Sequence, residues 1–112
     1  MKKLSLLLAF GFMLSAICSY AQQNSSDAEY VKANYTKYEY QVPMRDGVKL
    51  FTSVYVPKDQ SKKYPIMMDR TPYSVAPYGP DAYKGSLGPS SLFLHDGYIF
   101  VYQDVRGRWM SE

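Results

Sequence analysis

The chain has 112 residues, and its 13 Lys and Arg exceed its 10 Asp and Glu by only three charges. So small an excess excludes the strongly basic character of nucleic-acid-binding proteins, and we expect no nucleic-acid partner. The single cysteine, Cys18, and the single histidine, His95, predict neither a disulfide framework nor a zinc site. Nothing in the composition implies a metal or an organic cofactor, and we expect none.

Residues 1–21 have the pattern of a secretory signal peptide. Lys2 and Lys3 form a positive n-region, residues 4–16 are apolar, and Ser19-Tyr20-Ala21 is a small-x-small cleavage site. The apolar run is too short for a comfortable membrane span. We therefore predict cleavage before Gln22, a secreted or periplasmic protein, and a mature chain without a membrane anchor. Loss of the two lysines would lower the formal charge from +3 to +1.

Residues 22–34 are polar and small, and we expect a flexible leader with one helical turn at most. Apolar and polar residues then alternate over 38–42 and over 48–56, as in half-buried strands. Asp46-Gly47 is a strong turn dipeptide between the two segments, and Pro57 ends the second. This pattern predicts a hairpin of antiparallel strands. Five side chains of the second segment would share one face: Val48, Leu50, Thr52, Val54 and Val56.

Two further apolar runs, residues 65–68 and 98–102, show no alternation and are typical of strands covered on both faces in a parallel sheet. Residues 75–89 between them are rich in Pro, Gly and Tyr, which favours an ordered loop at the rim of a cavity. A short helix is predicted over 90–95, with Gly97 at its end. The order hairpin, strand, helix, strand contains one β-α-β crossover. The predicted fold class is α/β, a mixed sheet that fits the N-terminal part of an α/β-hydrolase fold.

Tyr73 is the strongest candidate for a functional residue. Pro72 fixes its own φ and pushes Thr71 toward extended backbone, so Tyr73 would stand on a stiffened loop after a buried strand. In open α/β sheets, ligands bind at this carboxyl edge. A phenol at that edge can donate a hydrogen bond to a reacting carbonyl. The alternative is a tyrosine that only packs its loop.

The residues present do not predict a catalytic triad within this chain. His95 would cap the short helix or pack on the sheet. The serines at 86, 90 and 91 lie in loop or cap positions, and none stands in a Gly-x-Ser-x-Gly elbow.

Four charged residues follow the ends of the two apolar strands, where parallel pairing would bring them together. We expect a structural ion-pair network rather than a catalytic cluster. The four are Asp69, Arg70, Asp104 and Arg106.

Several segments, taken in their order and spacing, resemble the opening of the X-Pro dipeptidyl-peptidase type of serine hydrolase. That family includes cocaine esterases, α-amino-acid ester hydrolases and glutaryl-cephalosporin acylases. The resemblance covers about residues 38–112. It is carried by Val42-Pro43-Met44-Arg45-Asp46-Gly47-Val48-Lys49-Leu50, Asp69-Arg70-Thr71-Pro72-Tyr73, Gly97-Tyr98 and Gln103-Asp104-Val105-Arg106-Gly107.

The resemblance implies an α/β-hydrolase core, a helical cap and a C-terminal jelly roll. It also implies a Ser, Asp, His triad in that chain order and an acyl-enzyme formed on a small-molecule or peptide ester or amide. Tyr73 matches the tyrosine that supplies half of the oxyanion hole, beside a backbone N–H next to the nucleophile. The nucleophile, the acid and the base have no match in this chain. Residues 35–112 would then be the N-terminal portion of the domain, truncated before the nucleophile elbow and inactive alone.

Two alternatives remain open. The chain can be a complete, small, secreted β-rich binding module that uses its tyrosines as a contact surface. It can also belong to a non-hydrolytic α/β-hydrolase relative that lacks the triad. Two unalternating strands around a helix suit a parallel sheet better than a sandwich, which favours the hydrolase fold over the binding module.

Overall fold

The computed structural model describes residues 26–112. The predicted signal peptide and residues 22–25 of the predicted leader lie outside this range. In the part of the chain that is described, no helix is both long and apolar enough to cross a membrane. Helix α1 covers residues 26–34. The other elements are β1 (Tyr35–Pro43), β2 (Lys49–Pro57), β3 (Ile66–Thr71), α2 (Ser91–Asp96) and β4 (Ile99–Asp104).

The strands form one mixed sheet in the order β1-β2-β4-β3. β1 and β2 pair antiparallel as a hairpin, and the turn between them is closed by Met44 N–H donating to Val48 O at 2.8 Å. β2 and β4 are antiparallel, whereas β3 and β4 are parallel and are joined through α2. The predicted hairpin, β-α-β crossover and mixed sheet are all confirmed.

The core lies on one face of the sheet. Strand side chains alternate between two faces, and Tyr35, Tyr55 and Phe100 point to the face that carries both helices and residues 75–89. They pack there with Val31, Leu87 and Leu94, and each of these six side chains is at most 2% exposed. Full burial of a side chain of this size stabilises the fold by about 1.5–3 kcal/mol.

The predicted residues of β2 do share one face of the sheet, but the helices pack on the opposite face. Alternation places Leu50, Thr52, Val54 and Val56 together, away from Tyr55. Val54 and Val56 stay only half-buried, while Tyr55 is fully buried. β2 is apolar on both faces, so the alternation that identifies the strand does not select the face that packs.

Part of the stretch expected to be a flexible leader is helical and packed. The Val31 side chain of α1 has no exposed surface, and Asp27 is buried. The Asp27 carboxylate accepts a hydrogen bond from Ser91 Oγ of α2 at 2.9 Å. A buried apolar contact and a bond between the two helices therefore hold α1 in the fold, an interaction that short-range composition does not reveal.

β3 is not covered on both faces, contrary to the sequence prediction. Ile66 is 68% exposed and Met68 is 49% exposed. β3 is the outermost strand next to β4, and these two side chains project from the face opposite the helices. An unalternating apolar run identifies a parallel strand, but its burial depends on neighbours that lie elsewhere in the structure.

Candidate active site

Tyr73 lies two residues beyond Thr71, the last residue of β3, at the sheet edge where the sequence predicts it. Its side chain is 86% exposed, and its hydroxyl makes no hydrogen bond to the residues that the structure describes. The described residues therefore leave the phenol uncovered.

The backbone that leads into Tyr73 is held by two hydrogen bonds. Tyr73 N–H donates to Thr71 Oγ1 at 3.1 Å, and the indole N–H of Trp109 donates to Pro72 O at 2.9 Å. Ser74 follows with φ of +77°, a left-handed conformation that is uncommon outside glycine. Such conformations cost about 1–3 kcal/mol and cluster at functional sites. The loop is therefore held in a defined shape around an exposed phenol.

Asp104 at the end of β4 holds the chain beyond Tyr73. Its fully buried carboxylate accepts hydrogen bonds from Val75 N–H at 3.0 Å, from the Tyr78 hydroxyl at 2.9 Å and from Met110 N–H at 3.4 Å. Burial raises the pKa of Tyr78, and the bond to Asp104 adds to the increase although a bond with Ser74 opposes it. The Tyr78 hydroxyl thus stays protonated and donates to the carboxylate.

A buried lysine on β1 holds the rest of the loop. The side chain of Lys37 has no exposed surface, and its Nζ lies 2.9 Å from Glu39 Oε1. The same ammonium donates to the backbone carbonyls of Pro77, Gly79 and Ala82 at 2.6, 2.9 and 2.8 Å. Glu39 Oε1 in turn accepts from Gly79 N–H at 2.7 Å. We call this arrangement the Lys37–Glu39 clamp; it accounts for the ordered loop that composition predicts.

The predicted ion-pair network of four charges does not form. Thr71, not Arg70, is the residue of β3 that stands opposite Asp104 in the sheet register. Arg70 therefore projects to the other face, where its Nε–H donates to Gln103 Oε1 at 2.7 Å. Asp104 is bound by neutral donors, and Asp69 takes part in none of the ion pairs found among residues 26–112.

Arg106 pairs with the hairpin turn instead. Its two terminal nitrogens donate to the Asp46 carboxylate at 2.7 and 3.2 Å. Hydrogen bonding to Arg106 lowers the pKa of Asp46. This exposed bidentate pair ties the turn between β1 and β2 to the segment after β4.

Among the described residues, His95 makes no hydrogen bond that caps its own helix, and its ring packs against Tyr30 of α1. Its ring lies 4.0 Å from that of Tyr30, and its Nε2 is 3.6 Å from Asp27 Oδ1. Ser91 Oγ donates to the same carboxylate oxygen, so the carboxylate stands between serine and histidine. That order does not let the imidazole take the serine proton, and residues 26–112 contain no hydrogen-bonded Ser–His pair. In the same residues, no group of three or more His, Cys, Asp or Glu side chains is placed to hold a metal ion.

The mixed sheet of this chain opens with an antiparallel hairpin and continues into a β-α-β unit. It is the N-terminal part of an α/β-hydrolase fold. Within that fold, the chain belongs to the X-Pro dipeptidyl-peptidase (S15) family, whose model matches residues 46–112. The resemblance seen in the sequence motifs is thereby confirmed.

Individual relatives agree with this family. The chain is 38% identical over 73 residues to a cocaine esterase of Rhodococcus sp. (strain MB1 Bresler), which is 63% of this chain and 12% of the esterase. A solved structure of an α-amino acid ester hydrolase is 39% identical, with a TM-score of 0.59. An aminopeptidase from the marine sediment archaeon Thaumarchaeota archaeon is 38% identical, also with a TM-score of 0.59. Each structural match covers 70% of this chain and 14% of the other protein.

Proposed function

We propose that this chain is the N-terminal portion of a secreted serine hydrolase that cleaves ester or amide bonds through an acyl-enzyme. Tyr73 donates its hydroxyl proton in a hydrogen bond to the oxyanion of the tetrahedral intermediate. The observation that carries the proposal is an exposed phenol just beyond the carboxyl end of β3, on a backbone held by hydrogen bonds at Pro72 before it and at Val75 after it. The names of the relatives, an esterase, an ester hydrolase and an aminopeptidase, support ester or amide bonds as the target.

The chemistry places a particular demand on this residue. When a serine attacks a carbonyl, negative charge develops on the carbonyl oxygen, and a donor already aimed at that position stabilises the transition state more than the substrate. The Tyr73 hydroxyl has no partner among the described residues that would compete for its proton. It is therefore available as one donor, with a backbone N–H beside the nucleophile as the second.

The nucleophile, the acid and the base are expected in the sequence that follows Glu112. We refer below to the protein that contains them as the intact hydrolase. The substrate class follows from the proposal: a small-molecule or peptide ester or amide, with no cofactor.

The direct test is the coding sequence downstream of the Glu112 codon, followed by an assay of its product. An in-frame Gly-x-Ser-Tyr-x-Gly elbow and a burst of product from an activated ester, equal in amount to the enzyme, would support the acyl-enzyme. An in-frame continuation without a nucleophile elbow would instead support the non-hydrolytic relative. The β-rich binding module is disfavoured, because β3 and β4 pair parallel within a mixed sheet.

A further inference from the structure

We propose that Asp104 is a positioning residue that sets the direction of the Tyr73 phenol. This inference rests on the function proposed above and extends it to a carboxylate that does not touch the substrate. Its starting point is the unusual state of this group. Asp104 has no exposed surface, yet none of the ion pairs among residues 26–112 includes it.

Burial of an unpaired carboxylate is costly unless several donors bind it. Here the donors come from two different segments. Val75 N–H and the Tyr78 hydroxyl belong to the loop after β3, and Met110 N–H belongs to the segment after β4. Both carboxylate oxygens are used, because Oδ1 binds Val75 while Oδ2 binds Tyr78 and Met110.

Tyr73 lies between two sets of anchors that all depend on the same stretch of chain. On its amino side, Thr71 O accepts from Val105 N–H at 3.3 Å, and Pro72 O accepts from the Trp109 indole. On its carboxyl side, Asp104 holds Val75. Between the anchors, only Tyr73 and the left-handed Ser74 lack a hydrogen bond to residues 104–110. These anchors thus hold the backbone from which the phenol projects.

Positioning of this kind has a kinetic signature. When a group that acts in the transition state is misplaced by about 1 Å, the rate can fall by about 10²-fold. Because the oxyanion exists only after attack, the loss falls on kcat and leaves KM nearly unchanged. If the carboxylate only stabilised the fold, its loss would lower the amount of active enzyme and the melting temperature, and the effect would not depend on Tyr73.

The test is a double-mutant cycle in the intact hydrolase with Asp104→Asn and Tyr73→Phe. The asparagine amide keeps the size of the carboxyl group but has one acceptor oxygen, so it cannot accept from both Val75 N–H and the Tyr78 hydroxyl in the same geometry. We expect Asp104→Asn to lower kcat per active site by about tenfold, with KM within about twofold of wild type. In the Tyr73→Phe background, the same change should lower kcat by less than about twofold, because the group being positioned is already gone.

A second variant carries the test if Asp104→Asn does not fold. Tyr78→Phe removes one donor and leaves the carboxylate bound to Val75 and Met110, so we expect a smaller fall in kcat that also disappears in the Tyr73→Phe background. Its matched control is Tyr64→Phe, which deletes a tyrosine hydroxyl that donates to Asp59 O at 2.7 Å, on an exposed loop outside this network.

The outcomes separate the two proposals. If Tyr73→Phe itself leaves kcat unchanged, the oxyanion role fails and the positioning role fails with it. If Tyr73→Phe lowers kcat and the effect of Asp104→Asn or Tyr78→Phe simply adds to it, the oxyanion role stands and Asp104 is not a positioning residue.

Discussion

An oxyanion donor is recognised by what its loss does to the chemical step, and Tyr73 permits a clean substitution. Tyr73→Phe keeps the ring and deletes only the hydroxyl. In the intact hydrolase we expect kcat to fall by about 10²–10³, equivalent to about 3–4 kcal/mol of transition-state stabilisation. The melting temperature should stay the same, because the hydroxyl bonds to none of the described residues.

Steady-state kinetics on an activated ester, beside a melting curve, measure both quantities. Tyr40→Phe is the matched control, since Tyr40 is also an exposed tyrosine and lies on β1. A Tyr73→Phe enzyme within about threefold of the wild-type kcat would remove Tyr73 from the mechanism.

Tyr35 predicts a pH limit on stability. Its hydroxyl donates to Leu94 O at 3.0 Å, and burial raises its pKa to about 12 from 10.0. In the unfolded chain the phenol ionises first, so the stabilisation is complete below pH 10.0 and is lost as the pH rises toward 12. We expect the melting temperature of the intact hydrolase to fall over this range, and to fall less steeply in Tyr35→Phe. Parallel curves for the two proteins would show that Tyr35 does not contribute to this loss.

The residues around Tyr73 are not equally predictable from the sequence. The place of Tyr73 just after β3 is predictable from Thr71-Pro72, because the restriction that proline puts on the backbone acts locally. The prediction that Asp104 joins a network of charges is wrong, because counting charges at strand ends ignores the alternation that sends Arg70 to the other face. Sequence reasoning missed Lys37 altogether. Its signal is a charged residue between Tyr35 and Glu39 on the inward face of a strand, where burial of a lysine requires acceptors from elsewhere in the chain.

At the scale of elements, the Lys37–Glu39 clamp decides whether the long loop between β3 and α2 has one conformation. Its acceptors span residues 77–82, and removal of the ammonium leaves three partly buried carbonyls without this donor. Breaking a buried ion pair costs about 3–5 kcal/mol, and proteolysis follows the local opening equilibrium. In Lys37→Met we expect cleavage by trypsin after Lys84 to accelerate by at least about tenfold.

Limited digestion of the intact hydrolase, followed by mass spectrometry, gives the rate at that bond. Lys58→Met is the control, because Lys58 is exposed and its Nζ makes one bond, to Lys32 O at 3.2 Å. Equal cleavage rates in wild type and Lys37→Met would show that the loop is ordered without the clamp.

The elements themselves are largely predictable, since each has a local signal. Asp46-Gly47 marks the hairpin, and two unalternating runs mark β3 and β4, with bounds that differ from prediction by a few residues. Helix α1 and the exposure of β3 are not predictable for one shared reason. Both depend on which segments meet in space, as in the contact of Asp27 with Ser91. The periodicity of one segment does not indicate which other segment it will contact.

At the scale of the whole molecule, the sheet face opposite the helices is the surface on which we expect the isolated chain to aggregate. Tyr38, Tyr40, Ile66 and Met68 project from it, and each is at least 44% exposed. β3 also forms one edge of the sheet, and an apolar strand with a free edge invites aggregation. For purified residues 22–112 we expect no esterase turnover, little cooperative unfolding and a broad, associated profile in size-exclusion chromatography. A sharp thermal transition with a monomeric profile would contradict this and would favour the binding module.

The acceptors of Lys37 are main-chain carbonyls, and this has a practical consequence for altering the enzyme. A carbonyl is present whatever side chain its residue carries, so the clamp imposes no side-chain identity at positions 81 and 82. Random libraries at these two positions, with Lys37 and Glu39 retained, should therefore yield mostly folded variants that differ in the rim of the loop. The same diversification combined with a substitution at Lys37 should yield few, which makes the lysine a fixed point around which the surface of this loop can be altered.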